Sequence, residues 1–446
     1  MNLAALRSQL RGQILVPGCA GYDSARRLWN AMIDRRPAAI LRCTGAKDVA
    51  AAVRFAASED LYPAIRAGGH NVAGLASIDE GLVIDVSQMK RITVDAVART
   101  ATTQTGLTWA EFDAATQAYG LATTGGVNST TGIAGLTLGG GLGWLMGHFG
   151  LTCDNTIAYS LIAADGECVI ASTDEHPDLF WALKGGGGNF GVVTSISYRL
   201  HAVSTVLSGM ILHPFSRAKD VLRHFRDFVA SAVPDELTVF ATAITSPDGV
   251  PLVALIPAYS GPDLDEGQRV LAPLRAFGPP LADLVTCMPY VKMQQMLDAG
   301  APFGLRSYWK STFLQSLPDE AIETFVECAA TRTSSRTVVK LEHSHGAVTR
   351  VAPHETAFAA RGHAFNLVVL SLWDEEKDDD RNVAWTREFD RAMRDWSAPL
   401  VYVNALAEDD GARVRQAYGD NYARLVEVKA KYDPANRFRR NQNITR

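Results

Sequence analysis

The sequence predicts a mixed helix-and-strand chain in two parts, and three observations carry that prediction. The first 200 residues alternate short strands with short helices. Beyond Val203 the texture changes, with charge and proline spread more evenly. The glycines of the first part are gathered rather than scattered: residues 66–74, 125–147 and 185–191 hold 17 of the 37 glycines in 39 of the 446 positions. Glycine tolerates positive φ and lets a ligand approach the backbone. Three such clusters suggest one large ligand laid along the main chain.

Each element has its own signal. Residues 48–58 have helical apolar spacing, and 62–67 and 81–86 (GLVIDV) read as strands. Residues 92–104 suggest a hairpin rich in Thr and Val. Residues 108–119 read as a helix with Thr108 as N-cap, Glu111 completing a capping box and Gly120 as the stop. Asp165-Gly166, between strand-like runs at 156–164 and 167–171, is a hairpin signal. A short helix at 176–183 and a strand at 192–200 close the first part. In the second part, strands at 237–244 and 252–258 alternate with helices at 218–230 and 320–331, which implies a sheet backed by helices. Residues 411–432 read as one amphipathic helix, followed by Asp433-Pro434 and the polar strip Asn441-Gln442-Asn443.

Composition removes several classes of function. A hydrophobic content of 47% supports a sizeable core. The net charge of −5 argues against nucleic acid, which needs a basic footprint. Six cysteines without a C-x-x-C signal neither a zinc ribbon nor a disulfide framework. Residues 114–147 carry no Asp, Glu, Lys or Arg, which invites a membrane span, but nine glycines in 23 residues would make a poor one. Such a segment fits better as buried backbone around a cofactor. The opening residues, broken by Arg7 and Arg11, do not form a signal peptide, so a cytoplasmic protein is expected.

Four motifs stand in order: RAGGHN (66–71), TTGGVNSTTGIAGLTLGGGLGWLMGHFGLTCDN (123–155), DLFWALKGGGGNFGVVT (178–194) and YDPANRFRRNQNI (432–444). Together they resemble FAD-linked oxidases of the berberine-bridge-enzyme type, in the vanillyl-alcohol-oxidase or PCMH-type FAD-binding superfamily. The resemblance runs from about residue 20 to the C-terminus. It implies an α+β fold in two domains. The FAD-binding domain is residues 1–203, completed by a returning segment at 409–446. Residues 204–408 form an inserted substrate domain, an antiparallel sheet backed by helices.

The resemblance also implies roles. His70 falls at the family's flavin attachment position, where the imidazole is bonded to the 8α-methyl of the ring. That needs a neutral imidazole as nucleophile on a loop able to reach the ring. Arg66, Gly68, Gly69, Asn71 and Gly74 would form the loop over the pyrophosphate. Asn128 stands where many members carry a second flavin linkage through cysteine, so one covalent link is expected. In this the chain resembles the 6-hydroxynicotine-type amine oxidases. Gly126, Gly132 and Gly135 belong to the same cofactor-binding motif. Thr131 falls where some members control oxygen entry, and it reads equally as a helix N-cap. Gly139, Gly140, Gly141 and Gly143 fit a path close to the diphosphate or a tight connection between helices. Val192 and Val193 follow the segment near the adenine, and Asn441 and Asn443 resemble tail residues that return to the flavin.

Two places are candidates for the chemistry. Many members have a tyrosine base in a Y-x-N-Y pattern; here Tyr402 and Asn404 are present, but Ala405 takes the place of the second tyrosine. Lys340 and Glu342 alternate with Val339 and Leu341 and so share one strand face. That face is either solvated or, as the singly linked branch implies, directed at the flavin. His343 and His345 fall on the opposite face without an evident third metal ligand. Tyr308-Trp309-Lys310 resembles a strand bordering the substrate pocket. The expected activity is oxidation of a small alcohol or amine through covalent FAD, with O₂ as acceptor. Oxidative cyclisation or desaturation and a non-catalytic flavoprotein are the alternatives. The expected partners are a small-molecule substrate and O₂, with no metal, nucleic acid or membrane and with a homodimer left open.

Overall fold

The computed structural model describes residues 3–231 and 233–445. Its first sheet contains β1 (Gln13–Leu15), β2 (Ala39–Arg42), β3 (Ala64–Arg66) and β4 (Leu82–Asp85), in the order β1-β2-β4-β3. Both β2 and β3 run parallel to β4, and the helix Ala46–Ser58 supplies the crossover between them. The second sheet contains β5 (Ile92–Asp95), β6 (Thr100–Gln104), β8 (Thr156–Ile162), β9 (Cys168–Ser172) and β10 (Val192–Arg199), ordered β5-β6-β10-β8-β9 and antiparallel throughout. A two-stranded ribbon pairs β7 (Leu121–Ala122) with β11 (His201–Ala202).

The local signals hold where they rest on backbone chemistry. Helix Trp109–Gln117 starts at Thr108 with both arms of the capping box made. The hairpin between β8 and β9 turns at Gly166, with φ +83°. Among the described residues no helix is long and apolar enough to cross a membrane. The uncharged stretch is instead broken into short pieces, including helices Ile133–Leu138 and Met146–Phe149.

The third sheet is antiparallel and takes up the middle of the chain. Its main path is β16 (Ala282–Asp283), β13 (Ile211–Pro214), β15 (Pro251–Tyr259), β14 (Leu237–Thr245), β19 (Val338–His343), β20 (Phe365–Trp373) and β18 (Arg306–Leu314). β12 (Thr205–Ser208) pairs with both β15 and β17 (Thr286–Pro289). Alternation along the strands gives this sheet two different faces. Val239 and Ala241 of β14, Val339 and Leu341 of β19, and Leu367 and Val369 of β20 join one core with the helices Ala218–Ala230, Leu264–Ala276, Asp319–Ala330 and Asp379–Ala392. Their intervening neighbours Phe240, Thr242, Lys340, Glu342, Asn366 and Val368 line a cavity on the other face.

The tail departs from the single helix its pattern predicts. Helix Val414–Tyr418 ends at Gly419, which takes φ +49°, and a new helix runs over Tyr422–Tyr432. The break lets Tyr418, Tyr422, Leu425 and Val428 all pack into the core of the second sheet. Beyond it, Phe438 is buried against β2 and β4, and Arg440 forms a parallel bridge with Ala64. Lys429 ties this return together. Its buried ammonium donates to the carbonyls of Asn189 (2.7 Å) and Phe438 (3.0 Å) and pairs with Asp433 (2.7 Å). Burial pulls its pKa down, and Asp433 opposes that pull. Removing one member of a buried pair leaves the other charge uncompensated, at a cost of about 3–5 kcal/mol. Lys429→Met should therefore lower the urea midpoint by a corresponding amount; a change under about 1 kcal/mol would show that the clamp is not structural.

Candidate active site

A cavity of about 890 Å³ lies between the glycine-rich loops and the open face of the third sheet. Two loops meet at its edge. A Cβ on Gly68 would sit 2.6 Å from Cα of Gly132, and one on Gly132 would sit 2.7 Å from Cα of Gly68. No side chain fits between them, so their contact depends on glycine at both positions. Gly68, Gly69, His70 and Asn71 line the cavity from one loop, and Gly126, Asn128, Thr131, Gly132 and Gly135 from the other. Gly187, Gly188, Val193 and Asn441 line it further along.

His70 is held on one flank by Trp29, with stacked rings 4.3 Å apart, and Trp309 of β18 lies at 6.1 Å. Burial pushes the pKa of His70 down to about 4, so the imidazole is neutral at pH 7. Its Nε2 is buried without a hydrogen-bond partner among the described residues. The same is true of Asn71 Oδ1, Asn441 Oδ1 and Asn366 Oδ1, all on cavity-lining residues. Buried polar groups normally find partners, so these atoms mark contacts for a polar ligand. A cavity of this volume, with a glycine-backbone wall and unpaired acceptors, fits FAD.

On the sheet face, Lys340 and Glu342 form an ion pair at 8% and 3% exposure, which overturns the solvated-face alternative. Asn366, directly opposite Glu342 on β20, donates its amide to Glu342 Oε2 at 2.7 Å. Both oxygens of that carboxylate are thus engaged. Tyr402 Oη accepts from Asn404 Nδ2 at 2.9 Å, and Asn404 also donates to the Leu136 carbonyl. Burial raises the Tyr402 pKa to about 12. The aromatic strand splits as alternation requires. Trp309 lines the cavity, while Tyr308 and Lys310 turn away to Asp409 and Asp410.

Several expected residues lie elsewhere. Gly139, Gly140, Gly141 and Gly143 do not line the cavity; they make room for neighbouring side chains and, at Gly143, for backbone. A Cβ on Gly143 would fall 1.7 Å from the Gly125 carbonyl oxygen, and one on Gly139 would fall 2.2 Å from Asn404 Oδ1. Gly140 faces Phe358, and Gly141 faces Thr152. Arg66, Gly74, Val192 and Asn443 are also outside the lining; Gly74 sits against Ile33, and Val192 is in the core beside β2 and β4. Thr131 is not the cap of the following helix, because the N-cap is Gly132. His343 and His345 stack on each other in a separate small groove, and no group of three potential metal ligands occurs among the described residues. Sequence reasoning missed Trp29, Asn366, Arg440 and Gln442, which line the cavity. The cross-strand partner of Glu342 could have been found only with the sheet register.

The fold and this site define a flavin-dependent oxidoreductase built on two domains. Residues 37–172 match the FAD binding domain family, and residues 401–445 match the berberine and berberine-like family. An FAD-linked oxidoreductase of Dictyostelium discoideum is 30% identical over 98% of this chain and 95% of its own. The (R)-6-hydroxynicotine oxidase of Paenarthrobacter nicotinovorans is 29% identical over 98% and 97%. The crystal structure of 6-hydroxy-D-nicotine oxidase from Arthrobacter nicotinovorans superposes with a TM-score of 0.89 at 28% identity, covering 98% of both chains. The chain belongs to the berberine-like family of FAD-linked oxidoreductases, with the α+β PCMH-type FAD-binding fold.

Gly68→Ala tests the wall of the site. The added methyl would drive the two loops apart, since backbone on Gly132 cannot yield as a flexible side chain can. The variant should fold but retain less than about a tenth of the flavin of the parent protein, read from the visible absorbance against protein concentration. Full flavin content would show that the loop contact does not shape the site.

Proposed function

We propose that the chain is an FAD-dependent oxidase that carries FAD on a single bond to His70, takes a hydride from a small amine or alcohol, and passes the electrons to O₂ to give H₂O₂. The observation that carries this reading is the buried Lys340–Glu342 pair in the same cavity as a neutral His70 whose Nε2 has no hydrogen-bond partner among the described residues. When bound, FAD would supply the hydride acceptor and the route of the electrons to O₂. The side chains named here bind, orient and hold protons.

Lys340 would donate hydrogen bonds to a substrate oxygen or nitrogen, while Glu342 fixes the ammonium in place. With Lys340 on one oxygen and Asn366 on the other, Glu342 acts as a holder rather than a proton acceptor. Tyr402, with its pKa raised to about 12, stays protonated and donates. Asn366 Oδ1 is left to accept a hydrogen bond from the substrate. Oxidising an alcohol requires a group to take the hydroxyl proton, whereas a neutral amine loses hydride to become an iminium ion without one. An engaged carboxylate and a high-pKa phenol therefore favour CH–NH over CH–OH substrates. The similarity to 6-hydroxynicotine oxidase supports the same choice.

The attachment has two readouts. Flavin should stay with the polypeptide after acid precipitation, and His70→Ala should release all of it, because Asn128 has no sulfur to form a second link. A low imidazole pKa sets the pH dependence: protonation removes the lone pair that attacks. Attachment to flavin-free protein should therefore be constant from about pH 8 to about pH 5 and be lost as the pH falls through about 4. A loss centred near the ordinary histidine value of about 6.5 would contradict the buried, neutral His70.

Lys340→Met keeps most of the stem and removes the charge. Flavin content should survive, while the anaerobic rate of flavin reduction by the authentic substrate falls about 10²-fold or more. An unchanged rate would remove Lys340 from the chemistry.

A further inference from the structure

The inserted domain reaches back over the cofactor side of the cavity through residues 290–305. Three side chains four positions apart make the contact. The Tyr290 hydroxyl donates to the Thr123 carbonyl at 3.5 Å, and Gln294 Nε2 donates to the buried Asp113 at 3.1 Å. The Asp298 carboxylate accepts from both the backbone N–H (2.8 Å) and the hydroxyl (2.6 Å) of Ser129. Tyr290 and Gln294 share one side of the helix Tyr290–Gln294, and Asp298 opens the short 3-10 turn Asp298–Gly300 that follows it. Beside Asp298, the Leu297 carbonyl accepts from Asn128 Nδ2 at 3.2 Å. The same segment continues to Trp29, whose indole N–H donates to the Ala301 carbonyl at 3.2 Å and whose carbonyl accepts from Gly304 N–H at 3.1 Å. Trp29 is the ring stacked on His70.

We propose that residues 290–305 form a strap fixing both walls of the flavin end of the cavity, and that Asp298 is its positioning residue. Asn128 stands where doubly linked members have a cysteine, so this chain lacks a bond that would hold the 126–131 loop to the cofactor. The strap holds it from the other side. A carboxylate accepting an N–H and an O–H from one residue makes two charge-assisted hydrogen bonds, which fixes orientation as well as distance. Ser129 is buried at 2% exposure, so losing its acceptor leaves an unpaired donor in the loop, whose neighbours Asn128 and Thr131 face the cavity. The inference rests on FAD binding and not on the bond to His70.

Hydrogen exchange on the flavin-loaded protein tests it. In Asp298→Ala, amides of 126–131 should exchange at least about tenfold faster, while those of helix Ala218–Ala230 are unchanged. In a His70→Ala background, the same change should speed release of FAD about tenfold. Asp298→Asn should recover most of both, because its amide oxygen still accepts the Ser129 N–H and its NH₂ can donate to the hydroxyl. If Asp298→Ala does not fold, Ser129→Ala removes only the hydroxyl arm and should give the same two changes at about threefold. Exchange at 126–131 and FAD release both at parental rates would overturn the proposal, as would a rise in exchange spread equally over helix Ala218–Ala230.

Discussion

The contact between Gly68 and Gly132 sets the geometry on which the site depends. Two loops more than sixty residues apart in sequence touch through backbone, with each Cα within 2.7 Å of where the other's Cβ would be. One loop carries His70 and the other carries Asn128, so this contact fixes the distance between the two cavity walls that hold them. Neither loop closes the cavity by itself. The tail, anchored by Lys429, returns Asn441 to the cavity lining, and the inserted sheet supplies another wall. The cavity is therefore lined from three separate stretches of the chain: loops of the first 200 residues, the third sheet and the tail.

The inserted sheet shows how one alternation serves packing and chemistry together. Val339 and Leu341 go to the helical layer, and Lys340 and Glu342 go to the cavity. Burying an ion pair rarely adds stability, because desolvation offsets the attraction. Here the pair is also tied to Asn366 by a hydrogen bond, so a fixed polar group sits among Phe240, Val368 and other apolar neighbours. Such an arrangement is explained by what it positions rather than by what it stabilises.

Much of this was legible because it rests on local rules or on family motifs. The capping box at Thr108, the Asp165-Gly166 turn and the shared face of Lys340 and Glu342 need only nearest neighbours, and RAGGHN located the His70 loop. What was not legible depends on the other end of a long-range contact. The run Gly139–Gly143 looked like cofactor backbone, but its glycines make room for Asn404, Phe358, Thr152 and Gly125. The tail pattern suited one helix, yet Gly419 breaks it so that both halves reach one core. Trp29, Asn366 and Asp298 carry no motif, and their roles exist only through partners dozens to hundreds of residues away.

The position of the flavin bond can be read directly from peptides. Trypsin releases residues 67–90 as one peptide containing His70 and no cysteine. Mass spectrometry of a digest of the purified protein should find that peptide heavier by one FAD and every cysteine-containing peptide unmodified. Flavin on any other peptide, or residues 67–90 recovered wholly at their unmodified mass, would contradict a cavity organised around His70.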